Sequence, residues 1–204
     1  MKVALVGASG NVGSRIVTEL LNRGHKVTGI VRHPEKLQPH EGLSAARGDA
    51  NDEAQLVPLV RGHDAVISAV KFQLVDPKSL IQSIKQSGVK RLLVVGGAGS
   101  LEVAPGVQLV DTPDFPEAYK PEALAGRDFL NVLRGEQELD WTFLSPSAEF
   151  VPGQRTGKFR LGTDQLLVGS NGESKISMED FAIGFVDELE TPRHSLQRFT
   201  IGYW

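Results

Sequence analysis

The chain begins with a short apolar run that leads directly into three evenly spaced glycines. Residues 3–6 (Val-Ala-Leu-Val) carry no polar side chain, as in a strand that is buried on both faces of a parallel sheet. Gly7, Gly10 and Gly13 follow with a G-x-x-G-x-x-G spacing, and a helical apolar pattern then continues to Gly24. A strand, a glycine turn and a helix in this order predict an α/β fold that binds the phosphates of a dinucleotide.

Each glycine has its own predicted role in such a site. Gly7 permits a tight turn, Gly10 lets the backbone approach a pyrophosphate, and Gly13 lets the helix pack closely on the strand. The free amides at the helix start, together with the positive end of its dipole, would hold the phosphates. The intervening residues that we also expect to contact the cofactor are Ser9, Asn11 and Val12. The alternative is an ordinary strand-to-helix turn that happens to be rich in glycine.

The end of the second predicted strand, residues 25–31, indicates which cofactor is preferred. An NAD-specific site would place a carboxylate there to hold the ribose hydroxyls, but the residue is Arg32, followed by Lys36 one helical turn later. A guanidinium binds a 2′-phosphate with two parallel hydrogen bonds, whereas a carboxylate would repel it. The sequence therefore predicts NADP(H) in preference to NAD(H). The alternative is a solvated basic strand end.

Two further strands, predicted over residues 43–47 and 63–70, end at the same edge of the sheet. Asp49 follows the first, where an adenine amino group could reach it or where it could cap the helix predicted over 53–60. The second strand ends in small residues that we expect beneath the nicotinamide ribose. The additional cofactor contacts predicted here are Ala50, Ser68, Ala69 and Val70.

The fifth predicted strand, residues 90–95, opens into a glycine-rich end. In an open α/β sheet the ligand crevice lies at this edge, so we expect the nicotinamide here, against Gly96 and Gly97. Pro146, which follows the sixth predicted strand, is expected to contribute as well. The alternative for the glycine-rich end is a flexible loop.

The rest of the chain departs from strict alternation of strands and helices. Residues 102–118 look irregular and are predicted to form a lid over the pocket, followed by a helix over 122–134. Residues 153–162 and 165–168 are interpreted as short strands or a hairpin.

A strongly amphipathic helix begins near Ser177, with a solvated acidic end at 187–190, and residues 198–201 form a closing strand. We therefore predict one domain over 1–204, in which 151–204 supplies a small cap on the substrate side.

Composition excludes several other classes of function. The net charge of -3 argues against a nucleic-acid partner, and no apolar run approaches the roughly 18 residues that span a bilayer. The chain has no cysteine, and its five histidines lack metal-ligand spacing, so no metal site is predicted. Because a core strand directly follows Met1, we expect no signal peptide and a cytoplasmic location. We also expect a monomer or homodimer that acts on a small molecule.

Taken together, these motifs resemble the atypical short-chain dehydrogenase/reductase superfamily. The most similar group is its NAD(P)H-binding one, which includes biliverdin-IXβ/flavin reductases and NmrA-like redox sensors. The segments that carry the resemblance span most of the chain: 7–13, 31–32, 48–49, 90–97, 140–146 and 176–182. The resemblance implies a Rossmann-like, doubly wound parallel sheet in a three-layer αβα arrangement, with NADPH at its carboxyl edge. It also favours the adenine-binding role for Asp49.

The departures from the family pattern concern the catalytic residues. Classical members carry Tyr-x-x-x-Lys, in which the lysine lowers the tyrosine pKa, but Ala123 stands four residues after Tyr119. The serine that flavin and biliverdin reductases place after the fifth strand is replaced by Gly97, and Ser100 is out of register. Lys120 could neutralise a developing oxyanion, although it and Tyr119 could equally be exposed at a helix start. The catalytic candidates are Lys120, Tyr119 and Ser100.

The sequence thus predicts an NADP(H)-binding oxidoreductase. The expected reaction is hydride transfer from NADPH to a small planar acceptor such as a flavin or quinone, which needs little acid–base assistance. One alternative is an NADPH-binding redox sensor without turnover. A nucleotide-sugar epimerase or dehydratase is less well supported, because the Tyr-x-x-x-Lys pair is absent.

Overall fold

The computed structural model describes all 204 residues, with twelve strands and five α-helices. The strands are β1 (Lys2–Val6), β2 (Lys26–Val31), β3 (Leu43–Arg47), β4 (Ala65–Ser68), β5 (Arg91–Val95), β6 (Glu102–Ala104), β7 (Val107–Gln108), β8 (Asp140–Ser145), β9 (Glu149–Val151), β10 (Arg160–Gly162), β11 (Lys175–Ser177) and β12 (Gln197–Gly202). The helices are α1 (Asn11–Asn22), α2 (Glu53–Val60), α3 (Pro77–Ser87), α4 (Lys120–Arg134) and α5 (Met178–Glu190). None of the helices is long and apolar enough to cross a membrane.

Eight strands form the main sheet in the order β10-β12-β8-β5-β4-β1-β2-β3. All neighbouring pairs are parallel except the edge strand β10, which is antiparallel to β12. The chain runs outward from β1 to β3 and then returns to the other side of β1 with β4. The order of strands therefore reverses between β1 and β4, which is where ligands bind in open α/β sheets.

The helices cover both faces of this sheet. On one face, Ile16 of α1 and Phe181 of α5 share a buried apolar cluster with Leu5 of β1. On the opposite face, a second cluster joins helices α2, α3 and α4 to the sheet, with Leu80 and Phe129 among its buried members. These two clusters confirm the predicted Rossmann-like, three-layer αβα fold.

Of the two interpretations of residues 153–168, the hairpin is wrong and one short strand is confirmed, Arg160–Gly162. It pairs with the end of β12, while Gln165 makes only an isolated bridge to Glu102. Without β10, the outer backbone edge of β12 would stay unpaired in the main sheet. Within residues 151–204, β10 and β12 thus belong to the main sheet, α5 packs on α1, and β11 pairs with β9. That this segment forms a small cap on the substrate side stays a prediction.

Residues 102–118 are more regular than predicted. They contain the antiparallel β6–β7 pair and two short 3₁₀ turns, and Val110 is fully buried. Backbone hydrogen bonds run from Leu109 N to Leu101 O (2.9 Å) and from Val110 N to Gly99 O (2.9 Å). The segment therefore folds back on the connection that follows β5.

The prediction of a solvated acidic end for α5 is wrong for Glu188 and is confirmed for its two neighbours. Glu188 is buried and accepts hydrogen bonds from the backbone N–H groups of Arg193 (2.9 Å) and His194 (2.7 Å). Asp187 and Glu190 are exposed, and both pair with Arg23, the residue after α1, at 2.9 and 2.7 Å. Backbone hydrogen bonds therefore replace solvation at Glu188 alone.

Asp180, in the first turn of α5, joins three distant parts of the chain. Its buried carboxylate accepts hydrogen bonds from Tyr203 Oη (2.5 Å), Thr156 Oγ1 (2.7 Å) and Gly157 N (2.9 Å). Burial alone would raise the pKa of Asp180, but these hydrogen bonds outweigh it and hold the pKa below its usual value. The carboxylate thereby ties the C-terminus and an exposed loop to the helix layer.

We predict that Asp180→Asn lowers the free energy of unfolding by about 1.5–3 kcal/mol at pH 7, because hydrogen bonds to a charged acceptor are lost. Since the folded-state pKa is depressed, this contribution exists above the unfolded-state pKa of about 4 and disappears as the pH falls through the folded-state value. Urea unfolding of wild type and variant at pH 7 and at about pH 3 measures it.

Asp187→Asn is the matched control on the same helix. Its side chain is 55% exposed, so we expect a loss below about 1 kcal/mol despite the ion pair to Arg23. An Asp180→Asn variant that is no less stable than the Asp187→Asn variant at pH 7 would contradict the role assigned to Asp180.

Candidate functional site

A cleft of about 830 Å³ opens at the reversal of strand order. Its lining comes from the turn between β1 and α1, the end of β2, and the connections that follow β3 and β4. The predicted cofactor contacts that line it are Gly7, Ser9, Gly10, Arg32, Asp49, Ala50, Ala69 and Val70. The tertiary structure thus brings together residues from four separate sequence segments.

The glycine turn combines close packing with one open position. Gly7 has a φ of +89°, and a Cβ at Gly13 would lie 2.1 Å from the Gly7 carbonyl oxygen. A Cβ at Gly10, in contrast, would meet no protein atom nearer than that oxygen at 3.6 Å. Gly7 and Gly13 are therefore required by the fold, whereas the open space beside Gly10 allows a ligand to approach the backbone.

Helix α1 presents unsatisfied backbone donors to the same turn. Gly10 is its N-cap and supplies no side chain, and the first turn contains no acidic residue. The first helical bond to this cap runs from Ser14 N to Gly10 O at 2.9 Å. The amides of Asn11, Val12 and Gly13 precede that bond, so they are available to an anion such as a pyrophosphate.

The positive charges of the cleft differ in part from those predicted. Arg32 lines the cleft and is exposed, and the nearby Glu35 lies against His33 (3.5 Å) rather than against Arg32. Lys36, one helical turn after Arg32 in the sequence, lies in a separate crevice beside α1 and outside the lining of this cleft. Lys71, which the sequence analysis did not identify, is the second basic residue of the lining.

The structure excludes one of the two predicted roles of Asp49. Asp52 caps α2, because its side chain accepts a hydrogen bond from Gln55 N at 3.1 Å. Asp49 instead accepts from Asn51 N at 2.8 Å within its own loop, and it is half-buried in the cleft wall. The capping alternative for Asp49 is therefore wrong, and its carboxylate remains in reach of a ligand.

Of the residues predicted near the nicotinamide and its ribose, Ala69 and Val70 line the cleft, whereas Ser68, Gly96, Gly97 and Pro146 do not. Ser68 is buried beneath it, and Pro146 is buried after β8. A Cβ at Gly96 would lie 2.4 Å from the Phe143 ring, so packing on β8 explains that glycine. A Cβ at Gly97 would make only an ordinary contact, 3.8 Å from the Phe72 ring, so packing does not require a glycine there.

The three catalytic candidates are not gathered at one point of the cleft. Ser100 is buried, and its hydroxyl oxygen accepts a hydrogen bond from Arg198 Nη1 at 2.9 Å, which gives it a structural partner. Tyr119 is 68% exposed at the N-cap of α4. Lys120 begins that helix, with its Nζ 3.7 Å from Glu117. None of the three lines the cleft.

Helix α4 is nevertheless connected to the cleft wall through Glu122. Its carboxylate accepts hydrogen bonds from Phe72 N (2.8 Å) and Gln73 N (2.9 Å), in the segment that follows β4. The sequence offered no signal for this contact, because the partners are 50 residues apart. No group of three or more histidine, aspartate or glutamate side chains is arranged to hold a metal ion.

A family model described as NAD(P)H-binding matches residues 7–192, which include every segment of the cleft except Val6. The chain belongs to this NAD(P)H-binding family. The open approach at Gly10, the free amides of α1 and the position of the cleft are the features by which the chain would hold the pyrophosphate of such a cofactor.

Several proteins resemble the chain over almost their whole length. The uncharacterized protein YwnB of Bacillus subtilis (strain 168) is 39% identical and is matched over 98% of each chain. A candidate epimerase from Bacteroides thetaiotaomicron has a TM-score of 0.94 at 45% identity, covering 99% of this chain and 96% of that one. A candidate NADH-flavin reductase from Streptococcus pneumoniae TIGR4 has a TM-score of 0.85 at 38% identity, with both chains fully covered.

We predict that Gly10→Val reduces NAD(P)H affinity by about 100-fold or more while leaving the melting temperature nearly unchanged, because the new side chain enters the open path to the backbone. Calorimetric titration and circular dichroism measure the two quantities. Gly13→Ala is the contrasting variant and should lower stability by about 1–3 kcal/mol, since its Cβ overlaps the Gly7 carbonyl oxygen. Retained binding in Gly10→Val would contradict this assignment.

Proposed function

We propose that the protein is an NADP(H)-dependent oxidoreductase that reduces a small planar acceptor such as a flavin or quinone. The observation that carries this proposal is one cleft in which the open turn at Gly10 lies beside the exposed guanidinium of Arg32. The family membership supports the nicotinamide cofactor, and Arg32 supports the phosphorylated form. The cytoplasmic location stays a prediction.

Arg32 favours NADPH because it follows β2 at the edge where the adenosine ribose would lie. A guanidinium there donates two hydrogen bonds to a 2′-phosphate, and Glu35 does not neutralise it, since that carboxylate lies against His33. The Streptococcus pneumoniae relative is described for NADH, so the preference of this chain has to be measured directly.

We predict that wild type binds NADPH about 10- to 100-fold more tightly than NADH, and that Arg32→Ala removes this preference while leaving NADH affinity nearly unchanged. Calorimetric titration of both cofactors provides the test. Lys36→Ala is the matched control, because Lys36 lies outside the cleft and should leave both affinities unchanged. Equal affinities in wild type would contradict the NADP(H) preference.

The choice of a planar acceptor follows from the residues that are absent. When bound, NADPH supplies a hydride, and an electrophilic ring accepts it without a strong proton donor, so binding and orientation provide much of the rate. Tyr119 has no lysine four residues later, which disfavours the epimerase activity that the description of the Bacteroides relative suggests. Because packing does not require a glycine at Gly97, the bare backbone at this position supports an acceptor close to the end of β5.

We predict weak NADPH oxidation with FMN or a simple quinone and none with a panel of aldehydes. Lys120→Ala should lower kcat by about tenfold or less, because charge in a reduced ring is delocalised and needs little local stabilisation. Aldehyde reduction that disappears in Tyr119→Phe would overturn this choice of acceptor.

One observation favours a second candidate function, an NADPH-binding sensor without turnover. The lining of the cleft ends at the segment after β4, and neither Gly96, Gly97 nor the catalytic candidates contribute to it. Tight NADPH binding without turnover of any acceptor, combined with different protease sensitivity of residues 102–118 in NADP and NADPH, would support the sensor.

A further inference from the structure

The part of the cleft nearest β3 is a slot between two loops. One wall follows β3 and contains Ala50, which is buried. The other follows β4 and contains Leu74 and Val75, and the Leu74 side chain is 51% exposed. An exposed leucine opposite a buried alanine provides apolar surface for a flat ring, such as the base of the nucleotide.

The side chain of Asn51 holds these two walls together. Its Nδ2 donates a hydrogen bond to Leu74 O at 2.9 Å, and its Oδ1 accepts one from Asp76 N at 2.7 Å. The amide thus pairs with the backbone of the opposite wall through both of its polar atoms. A flipped amide would place donor against donor and acceptor against acceptor, so only one orientation satisfies both partners.

Asn51 also holds the carboxylate that faces the slot. Its backbone N–H donates to Asp49 Oδ1 at 2.8 Å, so one carboxylate oxygen is engaged within the loop. The other oxygen makes no hydrogen bond within the chain, and Asp49 lines the cleft. A carboxylate oxygen in this position accepts a hydrogen bond from an exocyclic amino group and repels a carbonyl oxygen.

We propose that Asn51 is the positioning residue for recognition of the adenine base. Its side chain sets the width of the slot and, by fixing the loop, aims Asp49 at the amino group of adenine. The inference rests on the proposed function, because it requires that a nicotinamide adenine dinucleotide occupies the cleft. The family resemblance already implies contact between Asp49 and adenine, so the new element is that Asn51 positions Asp49 and the slot; recognition of the 2′-phosphate is left to Arg32.

This division of labour predicts two independent selectivities. Loss of the Asn51 side chain should weaken NADPH and NADH equally, because both carry the same base. It should also reduce the discrimination between adenine and hypoxanthine, whose ring carries a carbonyl group in place of the amino group. Loss of the Arg32 side chain should have the opposite pattern, with the preference for NADPH removed and the base preference retained.

The test is calorimetric titration with NADPH, NADH and the hypoxanthine analogue of NADPH. Wild type should bind NADPH about tenfold or more tightly than the analogue, as expected for one hydrogen bond to a charged acceptor. Asn51→Ala should bind NADPH and NADH each about tenfold more weakly, since two exposed hydrogen bonds are lost. Its preference for adenine should fall to about threefold or less, with the ratio of NADPH to NADH affinity unchanged.

Two further variants make the result interpretable. Asn51→Asp keeps the acceptor for Asp76 N but places a carboxylate oxygen against Leu74 O, so it should lose base preference in the same way. The added charge cancels when NADPH is compared with its analogue, because both ligands carry the same phosphates. Asn131→Ala, on the exposed face of α4 and outside the cleft, is the matched control and should behave as wild type.

The outcomes separate this inference from the proposed function. Wild type that binds none of the three nucleotides would overturn both. Wild type that binds NADPH without base preference, or Asn51 variants that retain the preference, would overturn the inference alone. If the Asn51 variants lose affinity for all three nucleotides equally and keep the base preference, Asn51 has a purely structural role. That result would also overturn the inference. If Asn51→Ala does not fold, Asn51→Asp decides the question by the same ratio.

Discussion

The close contact between Gly13 of α1 and the carbonyl group of Gly7 is the constraint on which the site depends. A single Cβ at Gly13 would approach that oxygen to 2.1 Å, so no other residue fits without displacing the helix. This contact brings the N-terminus of α1 to the end of β1. There the free amides, the helix dipole and the open space beside Gly10 together favour a bound phosphate.

The position of α1 is reinforced by its packing against α5 at the other end of the chain. Arg15 pairs with Glu179 at 2.7 Å, and Arg23 pairs with Asp187 and Glu190. Because these contacts are partly exposed, each contributes little by itself, and the buried apolar cluster between the helices provides most of the stability. Helix α5 thereby supports α1, whose N-terminal turn lines the cleft.

The two halves of the site are built differently. The half proposed for adenosine is a defined cleft whose walls are held by Asn51 on one side and by Glu122 on the other. At the ends of β5 and β8, Arg198 donates hydrogen bonds to Ser100 and Ser145, and burial lowers the pKa of Arg198, partly offset by Asp164. A formed cleft for the nucleotide is compatible with either proposed function, and turnover distinguishes them.

The sequence by itself determined the features that depend on local patterns. Its apolar runs predicted the buried strands of the main sheet, its 3.6-residue periodicity predicted the helices, and the glycine spacing located the turn, because these signals come from residues close together in the chain. The short strands β6, β7, β9 and β11 carried no such signal. Only the tertiary structure decided which distant residues meet. Asn51 contacts a segment 23 to 25 residues away, Glu122 reaches across 50, and β10 pairs with β12 rather than locally. Such contacts depend on the order of strands and the crossing of loops, and a polar side chain carries no local signal of the backbone group that it will bind.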